Sequence, residues 1–226
     1  MISVIIPTFN ESACIEGLIY YLKKNASNPI EVIVSDAGST DNTLQIAKHA
    51  GAIVLLSPQK GRAAQMNYGT SMAKGNIYYF VHADSFPPKS FVEDIEAAVN
   101  NGYDAGRYQT KFLSDSLLLK FNAFFTRFNL FVCNGGDQTL FLNSSFFKQL
   151  NGFDETKTIM EDYDITQRIQ KAGRYKIFSK TALVSARKYE KNSWPTVQRA
   201  NYIAIKMYKN GISSQEIAKS YKARLR

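Results

Sequence analysis

A chain of 226 residues can bury one sizeable core and has room for at most two small domains. Its 45% hydrophobic and 21% charged residues argue against an intrinsically disordered protein. Its net charge of +9 is concentrated in residues 187–226, where ten Lys/Arg against Glu190 and Glu216 leave a balance of +8.

The chain opens on "SVIIP", a short apolar strand pattern without the basic and long apolar regions of a signal peptide, so export is not expected. Ile15, Leu18, Ile19 and Leu22 then recur at helical spacing. "IEVIVSD" is a second buried strand, ending in Asp36. "GSTDNTLQIAKHAG" has capping residues at its start and Gly51 at its end, the pattern of a second helix. "AIVLLS" predicts a third strand and "GRAAQMNYGTSMAKG" a third helix. "NIYYFVHAD" predicts a fourth strand running to Asp84. This alternation implies a mostly parallel sheet flanked by helices.

After Pro87-Pro88 a helix "SFVEDIEAAVNNG" is clear, and the pattern then loosens. "YDAGRYQTKF", "DQTLFLNSS" and "YKIFS" predict strands, and "EDYDITQRIQKAG" predicts a helix. Ser116 to Val132 reads as one greasy helix, with too many polar groups, Lys120, Asn122, Arg127 and Asn129, to span a membrane. With no linker or repeat, a single domain over 1–226 is expected. It divides into a ligand-binding half (1–100), an irregular extension (101–190) and a basic helical tail (191–226).

Open parallel sheets bind ligands beyond the carboxyl ends of their strands. Asp36 and Asp84 both fall there, with the polar "TFNES" after the first strand. A single strand-end Asp can equally be a turn or cap residue; two together with Asn10-Glu11 point to a site. No G-x-G-x-x-G or P-loop follows the first strand, which argues against a dinucleotide or mononucleotide fingerprint. Cys14 and Cys133, far apart and without C-x-x-C spacing, suggest two reduced thiols in a cytosolic protein. His49 and His82 are too few for a multi-histidine zinc centre, and a Ser-His-Asp triad is not expected. The basic tail, interleaved with Trp194, Tyr202, Ile203, Ile205, Met207 and Tyr208, suggests either contact with an anionic surface such as lipid headgroups or a solvated basic helix.

"VIIPTFNES", "VSDAGSTDNT", "KGRAAQMNYG", the strand-end "HAD", "GGDQTLFLNSSFFKQLNGFDE" and "MEDYDITQRIQKAG" occur in order over residues 1 to 190. Together they resemble family-2 glycosyltransferases of the GT-A fold. The variant with "HAD" is similar to a bacterial subgroup.

The resemblance implies a nucleotide-diphosphate sugar donor, with Pro7, Thr8, Asn10 and Glu11 lining the nucleoside pocket and Asp36 accepting a hydrogen bond from the base. Arg62, in the first turn of a helix, would touch the base or diphosphate. In the family this strand end carries D-x-D; here Asp84 keeps the second position, implying a Mg²⁺ or Mn²⁺ ligand, while His82 replaces the first acid and would lie near the ribose. Glu161-Asp162 match the acidic pair whose Asp is the general base of an inverting displacement, with Asp164 a third acid nearby. Gly135, Gly136, Asp137 and Gln138 resemble the acceptor-proximal loop. Arg187 and Lys188 would meet the departing diphosphate.

The Q-x-x-R-W motif of processive synthases is absent after Asp162, so single-sugar transfer is implied. The acceptor, a lipid-linked one among the candidates, is not specified, and nucleic acid is not expected as a partner. Two other readings stay open: a sugar nucleotidyltransferase, which would show a glycine-rich loop where this chain has "PTFNES", and a nucleotide-sugar or membrane-surface binding protein without turnover.

Overall fold

The computed structural model describes residues 1–131 and 139–225. Cys133, Gly135, Gly136, Asp137 and Gln138 lie outside the described residues.

Three strands open the chain, β1 (Ile2–Thr8), β2 (Ile30–Asp36) and β3 (Ile53–Leu56), separated by α1 (Ile15–Asn25) and α2 (Thr43–His49). Then come α3 (Arg62–Ser71), β4 (Ile77–Phe80), β5 (Ser85–Phe86), α4 (Phe91–Asn100), β6 (Ala105–Phe112) and α5 (Leu117–Phe125). The chain continues through β7 (Leu140–Asn143), α6 (Ser144–Gln149), α7 (Glu161–Ala172), β8 (Tyr175–Val184), α8 (Arg187–Lys191), α9 (Trp194–Lys209) and α10 (Ser214–Lys222).

The strands form one sheet in the order β3-β2-β1-β4-β7-β6-β8-β5. The β3-β2-β1-β4 half is parallel, as the βα alternation requires, and β7 enters antiparallel to β4 and β6. Strand alternation sends Val4, Ile6 and Tyr79 into the core beneath α1 and α4. Ile5, Tyr78 and Phe80 go instead into the core with Met66 of α3 and Ile165 and Ile169 of α7. Gly69 lets α3 lie close on β1, since a Cβ there would meet Ile5 Cγ2 at 2.6 Å.

The fourth strand is shorter than its sequence implies. The Val81 N–H still donates to Ile5 O at 3.0 Å. In this parallel register the next bond would run from residue 7 to the Val81 carbonyl, and Pro7 has no N–H to make it. The ladder between β1 and β4 therefore ends, and 82–84 turn away before β5.

β5 begins five residues after β4 ends, yet it pairs with β8 at the other edge of the sheet. So short a connection requires the sheet to curl until its β8 edge returns to the end of β4. Ser185, just after β8, then donates its N–H to Asp84 O at 3.1 Å.

One further expectation is corrected and another is narrowed. The greasy helix stops at Phe125, because Arg107 Nη1 takes the Thr126 carbonyl at 2.6 Å and Thr126 Oγ1 accepts from Thr110 N at 2.9 Å. The basic tail is a helical pair that packs inward: Ala204 and Ile217 are buried with Met160 and Tyr163, and Ile205, Met207 and Tyr208 pack against that cluster. Much of the apolar surface expected to face headgroups is thus used against α7.

Candidate functional site

The loops leaving β1 and β2 are laced together. Asn10 N donates to Ser39 Oγ at 2.8 Å, and Asn10 Oδ1 accepts from Thr40 N at 2.9 Å. Glu11 N donates to Thr43 Oγ1 at 2.9 Å and Ser12 N to Asp41 Oδ2 at 3.2 Å. Asn10 is held at φ 56, the left-handed region that Asn tolerates better than most residues. Four donors, from Thr43 and Ser12, converge on the Asp41 carboxylate and depress its pKa from 3.8 to about 2.

Asp36, expected to receive the base, is fully buried and accepts from Thr8 Oγ1, Gly38 N, Ser39 N and Ser39 Oγ at 2.5–2.9 Å. A carboxylate has about four acceptor positions. A bond to a base would displace one of these, so in this conformation Asp36 organises the loop. Gly38 sits at φ 87, where a side chain would be strained. Pro7 and Thr8 are buried beneath the site, while Phe9, 51% exposed with the Lys60 ammonium 5.9 Å from its ring centroid, stands at the rim.

On the other side of β1, Arg187 binds two carboxylates at once. Its Nη1 and Nη2 meet Glu11 at 2.7 and 2.6 Å, and its Nε meets Asp84 Oδ2 at 3.2 Å. The two acids raise the arginine's pKa further above its ordinary value, the Glu11 hydrogen bonds being the largest cause. Burial raises the nearby Cys14 thiol, and Arg187 opposes that shift. The curled sheet is what makes this triad, joining residues 176 positions apart. His82 is half-buried in the same turn, its carbonyl accepting from Ser85 N at 3.0 Å.

The acidic pair lies across α3. Glu161 is buried, its Oε1 bound to Arg62 Nε at 2.9 Å, while Oε2 is buried without a hydrogen-bond partner. Glu161 thus fixes Arg62 and is not turned toward solvent. Asp162 is half-buried, with Oδ1 accepting from Tyr163 N at 2.8 Å. The residue before the pair, Met160, holds φ 69, a left-handed value unusual for its type. Asp164 is committed to Arg168 by two bonds of 2.7 and 2.9 Å, and Arg168 also binds the Leu150 and Gly152 carbonyls. That network makes Asp164 structural.

Sequence reasoning passed over Gln65. Buried in α3, it donates from one nitrogen to Thr8 O at 2.7 Å and Ser35 O at 2.8 Å, tying the ends of β1 and β2 together. A polar residue among the apolar positions of "GRAAQMN" was the available signal. Phe9 was signalled only by being an aromatic after a Pro-Thr strand end.

Among the described residues no group of three or more His, Cys, Asp or Glu could hold a metal by itself. Asp84, with one hard oxygen donor set beside Glu11, fits a cation that brings phosphate ligands of its own. Such a cation would compete with Arg187 for both carboxylates.

Three comparisons bear on this geometry. The model of "Glycosyl transferase family 2" matches residues 3–130. The succinoglycan biosynthesis protein ExoA of Rhizobium meliloti is 26% identical over 207 residues, covering 80% of this chain and 62% of that protein. The undecaprenyl-phosphate 4-deoxy-4-formamido-L-arabinose transferase of Aeromonas hydrophila is 32% identical over 115 residues, 46% of this chain and 35% of that one. The chain thus spans less than two thirds of either relative. Among solved structures, the mannosyltransferase PcManGT from Pyrobaculum calidifontis, in complex with GDP-Man and Mn²⁺, superposes with a TM-score of 0.71 at 17% identity, covering 97% of this chain and 68% of that one. S. aureus TarS 1-349 superposes at 0.67 and 19%, covering 99% and 71%. At these identities the likeness is one of fold, the GT-A fold expected from the motifs.

Proposed function

The chain belongs to glycosyl transferase family 2, and from that premise we propose that it moves one sugar from a nucleotide-diphosphate donor to an acceptor hydroxyl with inversion. The observation that carries this reading is the Arg62–Glu161 ion pair, which fixes the Glu161-Asp162 turn to the helix beside the β1 and β2 strand ends. Residues 1–100 then form the donor half and 101–190 the acceptor half, with 191–226 buttressing α7.

The nucleoside lies over the laced loops of Asn10 and Ser39, with Phe9 offering a ring for stacking and His82 near the ribose. Asp36, Pro7 and Thr8 hold this floor from beneath. Asp84 is the residue that would bind Mg²⁺ or Mn²⁺, which neutralises diphosphate charge when bound. PcManGT in complex with GDP-Man and TarS in complex with UDP-GlcNAc, both of this fold, support the donor class. Arg187, released from Glu11 and Asp84, is placed to meet the diphosphate as a planar cation.

Asp162 takes the proton from the acceptor hydroxyl. The oxygen bonds to the anomeric carbon as the carbon–phosphate-oxygen bond breaks, and the nucleoside diphosphate departs. A positioned base contributes about 10² to 10⁴ in rate. Glu161, buried against Arg62, positions the turn. Gly136, Asp137 and Gln138 remain proposed for the acceptor side. The enzyme is read as cytoplasmic, at the inner face of a membrane, and the +8 balance of residues 187–226 supports contact with anionic lipid there.

Incubation with UDP- and GDP-sugars and simple acceptors, read by NMR of the product, tests the reading. A product of opposite anomeric configuration, lost with EDTA and with Asp84→Ala, is expected. A retained configuration, or full transfer in Asp84→Ala, would sink it.

A further inference from the structure

Among the described residues, exposed apolar side chains are densest on α5 and in the turn that follows it. Of sixteen exposed large hydrophobic side chains among the described residues, eight fall in residues 113–130, so they form one patch rather than the normal scatter. On α5 and the turn after it, Leu117, Leu118, Phe121, Phe124, Phe125 and Phe128 are between 37% and 79% exposed. Leu117, Phe121, Phe124 and Phe128 follow helical spacing. The phenylalanines also touch one another, Phe121 to Phe125 at 4.9 Å and Phe124 to Phe128 at 5.8 Å between ring centroids.

This helix is held outward by design of its contacts. Leu119 is its one buried residue, and polar tethers fix its end: Arg107 binds the Thr126 and Phe128 carbonyls, and Thr110 N binds Thr126 Oγ1. Collapse of the patch onto the core would break those bonds.

The surroundings are cationic. Arg127 lies 4.1 Å from the Phe124 ring centroid, Lys120 is 58% exposed, and Lys111 is exposed at the end of β6. Asp115 is the only acid in residues 111–131. α5 also adjoins the basic C-terminal segment: Asn122 donates to Tyr189 OH at 3.4 Å, and the Tyr189 ring meets Phe112 at 5.8 Å. Tyr189 sits in α8 between Lys188 and Lys191.

We infer that α5 and the turn to Phe128 are the part of this protein that enters a lipid bilayer, lying in the interface of an anionic membrane with the basic segment at its side. The inference deepens the peripheral-membrane reading given above and rests on it. Bulky apolar side chains bordered by Lys and Arg are what an interfacial helix presents to acyl chains and acidic headgroups. Among the described residues no helix is long and apolar enough to cross a membrane, so the helix lies in the interface plane. Charge decides against a second copy of the chain as occupant: face-to-face pairing through α5 would bring two segments of +8 together, whereas an anionic bilayer neutralises them. The placement also sets the active end. Phe131, just beyond the patch, packs its ring 5.0 Å from that of Tyr163, next to Asp162, so the acceptor side faces the membrane.

The test uses the full chain with vesicles of phosphatidylcholine alone or mixed with phosphatidylglycerol. Sedimentation with the mixed vesicles, weakened by salt, is expected, and Phe121→Ser with Leu117→Ser should weaken it at least about tenfold. Both side chains are exposed, so the fold should survive. Fluorescence of Phe121→Trp should be quenched by brominated acyl chains. Undiminished binding in the double variant, with no quenching, would overturn the insertion of α5 and leave the basic segment as the lipid contact. Absence of binding to both vesicle types would overturn the peripheral reading as well. A dimer in analytical ultracentrifugation that Phe121→Ser dissociates, without lipid binding, would reassign the patch to self-association.

Discussion

The loops that follow β1 and β2 and the segment from β6 to α7 handle polarity in opposite ways. In the first, nearly every side chain that could bind a ligand is already engaged: Asp36 takes four hydrogen bonds, Asp41 orders Ser12 and Thr43, and Gln65 bridges two strand ends. In the second, apolar side chains are left in solvent and the acidic pair follows a left-handed Met160. In the proposed function, a donor with one fixed shape suits a wall assembled beforehand, because ordering it costs nothing at binding. A surface that meets a membrane or a bulky acceptor has no partner to pack against until that partner arrives.

If pre-assembly of the first region matters, removing its central tie should be felt most. Gln65→Leu keeps the side-chain volume but loses both carbonyl contacts, and should cost about 1–3 kcal/mol of stability, or roughly 2–4 °C of Tm per kcal/mol. Donor affinity should weaken with it. Unchanged melting and unchanged affinity would show that the strand ends hold their spacing without α3.

A smaller effect is expected from Asp41, which is partly exposed. Its folded pKa lies below the ordinary 3.8, at about 2. The carboxylate therefore contributes stability above the unfolded value, and that contribution disappears as pH falls through the folded one. The gap in denaturation midpoint between wild type and Asp41→Asn should thus be widest near neutrality and close between about pH 5 and about pH 2. A gap independent of pH would mean that the loop is ordered by the neutral hydrogen bonds of Ser39 and Thr43 alone.

The same contrast explains what the sequence could reveal. Buried parallel strands are continuous apolar runs, so β1, β2 and the helix that follows each are legible from Ile2 to His49. Pro7 also stood in plain view, although its effect on the end of β4 depends on the register between strands. Asp36 was visible as a residue at the right place. Whether such an Asp receives a ligand or organises a loop depends on how many donors the fold turns toward it, here four. The Glu11–Arg187–Asp84 triad was beyond reach, because it depends on the sheet curling until β8 returns to β4. The greasy run after Ser116 had no internal stop signal; its end is dictated by Arg107, from another strand. Tyr208 and Ile205 looked like headgroup contacts until α7 gave them a partner.

The proposed division of labour between a pre-built donor wall and a catalytic turn on α7 is tested most directly by Asp162→Asn. This change keeps shape and hydrogen bonding and removes the proton acceptor. The account predicts that donor affinity, measured by calorimetry with Mn²⁺ present, stays at the wild-type value while transfer falls by about 10² to 10⁴. Near-normal transfer, or a loss of donor binding as large as the loss of rate, would contradict it.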